Sequence, residues 1–330
     1  MHIDSARELK QQLREAVPAE ALAVRARQPG TAAVGISVLG SRADGTPRYG
    51  VAVRYAGPEG EPLLQRAREL AATSAGPEVD VRHVGLVRAL TAPAEDRTWT
   101  PGALQQRVRP LHPGLSVAHR DVTAGTLGAF VTVAGLEGVF ALSNNHVLAD
   151  SDRAALQDAV LQPGPADGGD TDDRVGALAR AVPLRDGGRV DAALALLAGV
   201  SGPADPAIDL RYPVGRLTGW AEPDDEVAVE KVGRTTGRTR GRISAIELDG
   251  VTVQFPVGPV AFDGQIEVTG SGGSFSEGGD SGSLVYRPDT REAVGLLFAG
   301  SETGGEDGTG LTFCNPIGLV LEALGATLVV

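Results

Sequence analysis

A serine hydroxyl is a weak nucleophile until a base removes its proton, and a glycine-flanked turn lets such a hydroxyl and nearby N–H groups face a substrate carbonyl together. Gly279-Asp280-Ser281-Gly282 supplies that combination. As a bare tetrapeptide it also fits an ordinary turn, so its weight comes from two distant residues. His146 ends Ser143-Asn144-Asn145-His146, directly after the strand-like segment 139–142, where an imidazole can serve as a general base. Asp191 opens the apolar run 191–197, and a carboxylate at such a place is costly unless something bonds to it, as an imidazole does. Taken singly, His146 reads as structural and Asp191 equally well as an Asp closing a turn after Gly187-Gly188. The joint order His, Asp, Ser is far rarer than its parts. His2, His83, His112 and His119 lack a comparable setting and read as surface or packing residues.

The elements that must position these residues are mostly short strands. Ser5-x-x-Glu8 resembles a capping box, and Ile3, Ala6, Leu9, Leu13 and Val17 recur at helical spacing behind it. Val34, Ile36, Val38 and then Tyr49, Val51, Val53, Tyr55 alternate about the turn-rich 41–45, which predicts a hairpin. A second helix is predicted over 62–76 and a strand begins at Val79. Residues 1–92 therefore read as a small α+β domain, and 93–104 as a linker. From 105 to 330 the chain reads as mainly β, with strands predicted at 129–133, 139–142, 192–197, 226–232, 242–248, 251–255, 283–286 and 293–298. The segment 201–206 divides this body into halves of about 105–205 and 206–315. Asn315 is placed to cap a last helix over 316–324.

Composition narrows the function classes. A net charge of −12 is a poor match for nucleic acid or an anionic membrane, because phosphate binding needs a positive field. No apolar run reaches the ~20 residues of a membrane span, and the start of the chain reads as no signal peptide. One cysteine, Cys314, precludes an internal disulfide, so the expected compartment is the reducing cytoplasm. Acidic, glycine-rich stretches at 167–173 and 301–310 read as solvated loops rather than metal sites, and no cofactor is expected.

With His146, Asp191 and Ser281 in place, Gly233-Arg234-Thr235-Thr236-Gly237 followed by Gly241 makes the resemblance specific. Residues 105–325 resemble the trypsin/chymotrypsin-like serine protease superfamily, and the motif is similar to a hairpin of the bacterial streptogrisins and alpha-lytic protease. That resemblance implies two six-stranded Greek-key barrels with a site between them, preceded here by an α+β domain similar to the pro-regions of those enzymes. It also implies a serine endopeptidase acting on a protein or peptide: Ser281 attacks, His146 is base and then acid, and Asp191 orients the imidazole. The N–H groups of Gly279 and Ser281 would form the oxyanion hole, and 274–277 with Phe298, Ala299 and Gly300 would wall the specificity pocket. Phe275 falls where enzymes selective for Arg or Lys place an aspartate, so a small or apolar residue is expected before the cut. Two further expectations follow from the resemblance: Lys231 holds Asp280, with Arg234 as fallback, and Glu230 faces Arg240 where the secreted enzymes carry a disulfide. Asn145 and Ser283 depart from the usual pattern. A catalytically silent binding module and a protease limited to self-processing are the alternatives, and residues 1–92 are candidates for intramolecular regulation.

Overall fold

In the computed structural model, residues 1–16, 31–42, 45–56, 65, 68–69, 79–84, 87–89, 102–223, 227–301, 303, 308 and 310–330 are described. Most of the second predicted helix and of the linker lie outside them. The described elements begin with α1 (Ile3–Ala16), β1 (Thr31–Ser41), β2 (Pro47–Ala56), β3 (Val79–His83) and β4 (Val87–Ala89). Next come β5 (Ser116–His119), β6 (Gly125–Thr126), β7 (Ala129–Val133), β8 (Phe140–Ser143), the single-turn helix α2 (Asn145–Leu148), β9 (Ala159–Leu161), β10 (Arg174–Ala181) and β11 (Ala193–Leu197). Short strands β12 (Arg211–Tyr212), β13 (Gly215–Arg216) and β14 (Gly219–Trp220) cross to the second half. There the chain forms β15 (Ala228–Gly233), β16 (Gly237–Asp249), β17 (Val251–Phe255), β18 (Gly258–Phe262), β19 (Gln265–Gly270), β20 (Leu284–Tyr286), β21 (Glu292–Ser301) and β22 (Thr312–Pro316), followed by α3 (Ile317–Leu324) and β23 (Ala326–Leu328).

The body is mainly β and built around two barrels. In the second half the ladder runs β15–β16–β19–β22–β21–β20 and returns to β15, a closed ring of six strands. The first half is a curled sheet in the order β7–β8–β11–β10–β9–β5, flanked by β23 and β6. β6 leads within two residues into β7, and Leu127 N donates to Leu115 O at 2.8 Å, which draws the two ends of the curl together. Each barrel has its own apolar interior: Leu115, Phe130, Val139, Val160 and Leu178 in the first, Val229, Ile243, Val268 and Leu297 in the second. Removing each such side chain from water contributes about 1.5–3 kcal/mol before chain entropy is counted, so these interiors hold the framework rigid behind the site.

The predicted hairpin forms β1 and β2, with Val34 opposite Val53 and Ile36 opposite Val51. Its partner was not legible: β1 pairs antiparallel with β16, so the N-terminal strands extend the sheet of the second barrel. The seam is locked by charge. Arg54 on β2 donates to Glu267 on β19 through Nε at 2.5 Å and Nη2 at 2.8 Å, and both side chains are fully buried. Burial, the largest influence on Glu267, pushes its carboxyl up, yet the adjacent Arg54 guanidinium holds it below the usual carboxylate range.

Two expected caps are corrected. α1 starts at Ile3, so Ser5 lies inside the first turn rather than at the N-cap. Pro316, not Asn315, caps α3, because Asn315 is the fourth residue of β22 and its side chain is engaged elsewhere.

Candidate active site

Asp191 sits just ahead of β11 and His146 on α2, at the end of β8; the pairing of those two strands, with Ala193 opposite Ser143, brings them together. His146 Nδ1 lies 2.5 Å from Asp191 Oδ2, and the His146 backbone N–H donates to Asp191 Oδ1 at 3.2 Å. Both residues are buried, at 2% and 0% exposure. A carboxylate only accepts, so Nδ1 carries a proton, and in the neutral imidazole Nε2 is the nitrogen that accepts.

Asp191 is itself fixed through its backbone. Its N–H donates to Asn315 Oδ1 at 2.9 Å and its carbonyl accepts from Asn144 Nδ2 at 2.7 Å. Asn315 in turn donates to Gln265 Oε1 at 2.7 Å, so the second barrel holds the aspartate of the first. Asn145, one of the departures, binds Asp152 Oδ1 and Val182 O and accepts from Asp152 N, pinning α2 to the following loop.

Ser281 reaches the same place from the second barrel: its carbonyl accepts from Thr126 N at 2.8 Å, beside Ser143 at the foot of α2. Its Oγ donates to Phe298 O at 3.4 Å, a long bond, while His146 Nε2 has no hydrogen-bond partner among the described residues. The expected Nε2–Oγ bond is therefore not made in this structure, whereas the Asp–His half is.

The turn around Ser281 requires its glycines. Gly279 has φ of +98°, and a Cβ there would stand 2.5 Å from Thr235 Oγ1; Gly282 has φ of +93°, and its Cβ would meet Ser143 Oγ at 2.0 Å. Thr126 Oγ1 donates to Gly279 O at 2.9 Å, and Thr235 Oγ1 donates at 2.7 Å to Gly278 O, the carbonyl of the peptide that carries the Gly279 N–H. Among the described residues neither Gly279 N nor Ser281 N donates to another protein group. Ser283, the other departure, closes the turn by donating to Asp280 O at 2.6 Å.

Beneath the turn Asp280 is wholly buried and fully bonded. Lys231 Nζ donates to its Oδ2 at 3.0 Å, as do Thr236 Oγ1 at 2.7 Å and Glu277 N at 3.0 Å, while Thr235 N and Thr236 N reach Oδ1 at 2.9 and 3.2 Å. Burial lowers the Lys231 pKa and Asp280 opposes that shift. Arg234, the fallback, pairs instead with Asp167, which ties one of the two acidic stretches to the site. Glu230 does face Arg240, at 2.8 Å, and a second donor missing from the sequence reading, Arg238, bonds the same carboxylate at 2.8 and 2.9 Å.

Two residues expected in the specificity pocket turn their side chains into the protein interior. Phe275 packs into the second barrel with Val229, Ile243 and Val268, and Phe298 lies fully buried against Phe262. Ala299 and Gly300 stay on β21, where their backbone pairs with β22 on one side and β4 on the other.

Two barrels facing each other across an Asp–His pair and a glycine-flanked serine give the architecture its character. The fold is chymotrypsin-like. No family model matches the chain, and a comparison with curated proteins finds no match. Among solved structures the chain is similar to Thermobifida fusca protease A, at 21% identity and TM-score 0.46, over 66% of this chain and 99% of that one. It is likewise similar to the Nocardiopsis protease, at 20% and 0.47 over 67% and 100%, and to a Cellulomonas bogoriensis chymotrypsin, at 23% and 0.44 over 66% and 98%. No helix among the described residues is long and apolar enough to cross a membrane.

Proposed function

We propose that the chymotrypsin-like body is a serine endopeptidase with Ser281, His146 and Asp191 as its triad. The observation that carries this reading is the buried Asp191–His146 bond, which leaves Nε2 without a partner among the described residues and free to act as a base toward Ser281. On binding, Ser281 Oγ turns from Phe298 O toward Nε2, the kind of adjustment a free site commonly makes. Oγ then attacks the scissile carbonyl carbon while Nε2 takes its proton. The negative oxygen of the tetrahedral intermediate is met by the N–H groups of Gly279 and Ser281, each worth on the order of 3 kcal/mol of transition-state stabilisation. Collapse breaks the C–N bond, His146 returns its proton to the leaving amine, and water repeats the cycle on the acyl-enzyme. Hydrolysis of a peptide library by the full chain, set against Ser281→Ala, tests the reading: fragments from both proteins alike would reject it. The substrate is a protein or peptide.

Intramolecular regulation by residues 1–92 has one specific support. β4 pairs antiparallel with the site strand, Ala89 opposite Ala299, Arg88 opposite Gly300 and Val87 opposite Ser301, directly after Phe298. An extended substrate adding to that edge of β21 must displace β4. Arg88→Pro, which removes a backbone donor from this strand, is expected to raise kcat/KM on a short peptide about fivefold, the equivalent of one hydrogen bond worth ~1 kcal/mol. Unchanged kcat/KM in a steady-state assay would remove β4 as a regulator.

A further inference from the structure

His146 and Asp191 belong to the first barrel and Ser281 to the second, so the placement of base against nucleophile depends on what joins the barrels there. Three phenylalanine rings do. The His146 ring lies 5.8 Å from that of Phe255, tilted by 55°. Phe255 lies 6.0 Å from Phe262, and Phe262 lies 5.0 Å from Phe298. Phe298 supplies the carbonyl to which Ser281 Oγ donates. A file of aromatic contacts thus runs from the imidazole to the residue beneath the nucleophile, and all three rings are buried, at 7%, 0% and 0% exposure.

Hydrogen bonding holds the imidazole at one end only. Asp191 grips Nδ1, while Nε2 has no partner among the described residues. A ring bonded at one nitrogen keeps a swing about that bond unless packing removes it, and close-packed aromatic contact does so without offering a competing donor or acceptor. Phe255 stands on β17, in the β17–β18 hairpin that the second half carries outside its ring of six strands, and reaches a residue of the first barrel.

The geometry points to Phe255 as a positioning residue for the acyl transfer: backed by Phe262 and Phe298, its ring sets the tilt from which His146 Nε2 serves Ser281 Oγ. The assignment rests on the endopeptidase reading above. Phe255 does not touch the reacting bond in this account and acts only through the imidazole.

The test uses the full chain and three variants. Phe255→Ala is expected to lower kcat on a peptide, and the rate at which a fluorophosphonate labels Ser281, by about 10- to 100-fold with KM changed less than about twofold, since misplacing a reacting group by ~1 Å costs that much. Phe255→Tyr keeps the ring and retains kcat. Val268→Ala thins the apolar interior of the second barrel, in a cluster that holds none of the three rings, and is expected to lower Tm while leaving kcat unchanged. The downfield proton signal of His146 Nδ1–H should broaden in Phe255→Ala alone. Full kcat in Phe255→Ala, an equal loss in Val268→Ala, or no recovery in Phe255→Tyr overturns the assignment. Turnover that survives Ser281→Ala overturns the endopeptidase reading itself, and is read from a different variant.

Discussion

Ser281→Ala and His146→Ala are each expected to lower kcat by on the order of 10^6-fold, and the double variant to be no slower than either. The reason is that in the proposed mechanism nucleophile and base form one unit. Without Nε2 the hydroxyl keeps its proton, and without Oγ there is nothing for Nε2 to activate. What remains is the contribution of the turn, where the Gly279 and Ser281 N–H groups still polarise a bound carbonyl, and that residue of catalysis is common to all three variants. Asp191→Asn should fall between, at roughly 10^4-fold, because an amide in place of the carboxylate favours the wrong imidazole tautomer at the 2.5 Å contact. Steady-state kcat on one peptide substrate checks the series. Additive losses in the double variant would mean that the two side chains do not work on the same step.

Lys231→Met is expected to lower both stability and turnover. Lys231 and Asp280 are fully buried, and the charge of one is compensated chiefly by the other. Removing one partner of a buried pair costs about 3–5 kcal/mol, because the remaining charge stays out of water. The hydrogen bonds from Thr235, Thr236 and Glu277 continue to reach Asp280, so the lower end of that range is expected. The carboxylate also anchors the turn that aims the Gly279 and Ser281 N–H groups, so kcat should fall by roughly 10²–10³-fold, the loss typical of one oxyanion donor. Lys231→Met combined with Asp280→Asn removes the stranded charge and should recover part of the stability. Urea denaturation with a parallel activity assay reads both effects. Wild-type turnover in Lys231→Met would show that the donors of Thr235, Thr236 and Glu277 hold the turn unaided.

Much of the site was legible because its residues announce their chemistry. The glycine-flanked serine, a histidine at a strand end and a carboxylate at the mouth of an apolar run are each unusual in type or place, and the structure brings His146 and Asp191 into contact as expected. Lys231 was assigned to Asp280 by the resemblance of its hairpin to that of the bacterial enzymes, and the two side chains bond at 3.0 Å. Asn315 was misread. An Asn before Pro resembles a helix cap, but burial behind Asp191 gives its side chain stronger obligations to Asp191 N and Gln265. Phe275 was matched to a pocket position by resemblance, which carries no information on side-chain direction; the space that Gly241 leaves in the barrel interior takes the ring. Strands such as β5, Ser116–His119, are buried on both faces and lack the alternation by which a half-exposed strand is recognised. Pairing between distant strands, β1 with β16 or β4 with β21, leaves no local periodicity at all.

The most direct measurement is the mass of the full chain after exposure to a fluorophosphonate, followed by mapping of the adduct. The account predicts one adduct per chain, on Ser281, lost in Ser281→Ala and slowed in His146→Ala, whose serine lacks its base. An unmodified chain, or an adduct on any other residue, would contradict it.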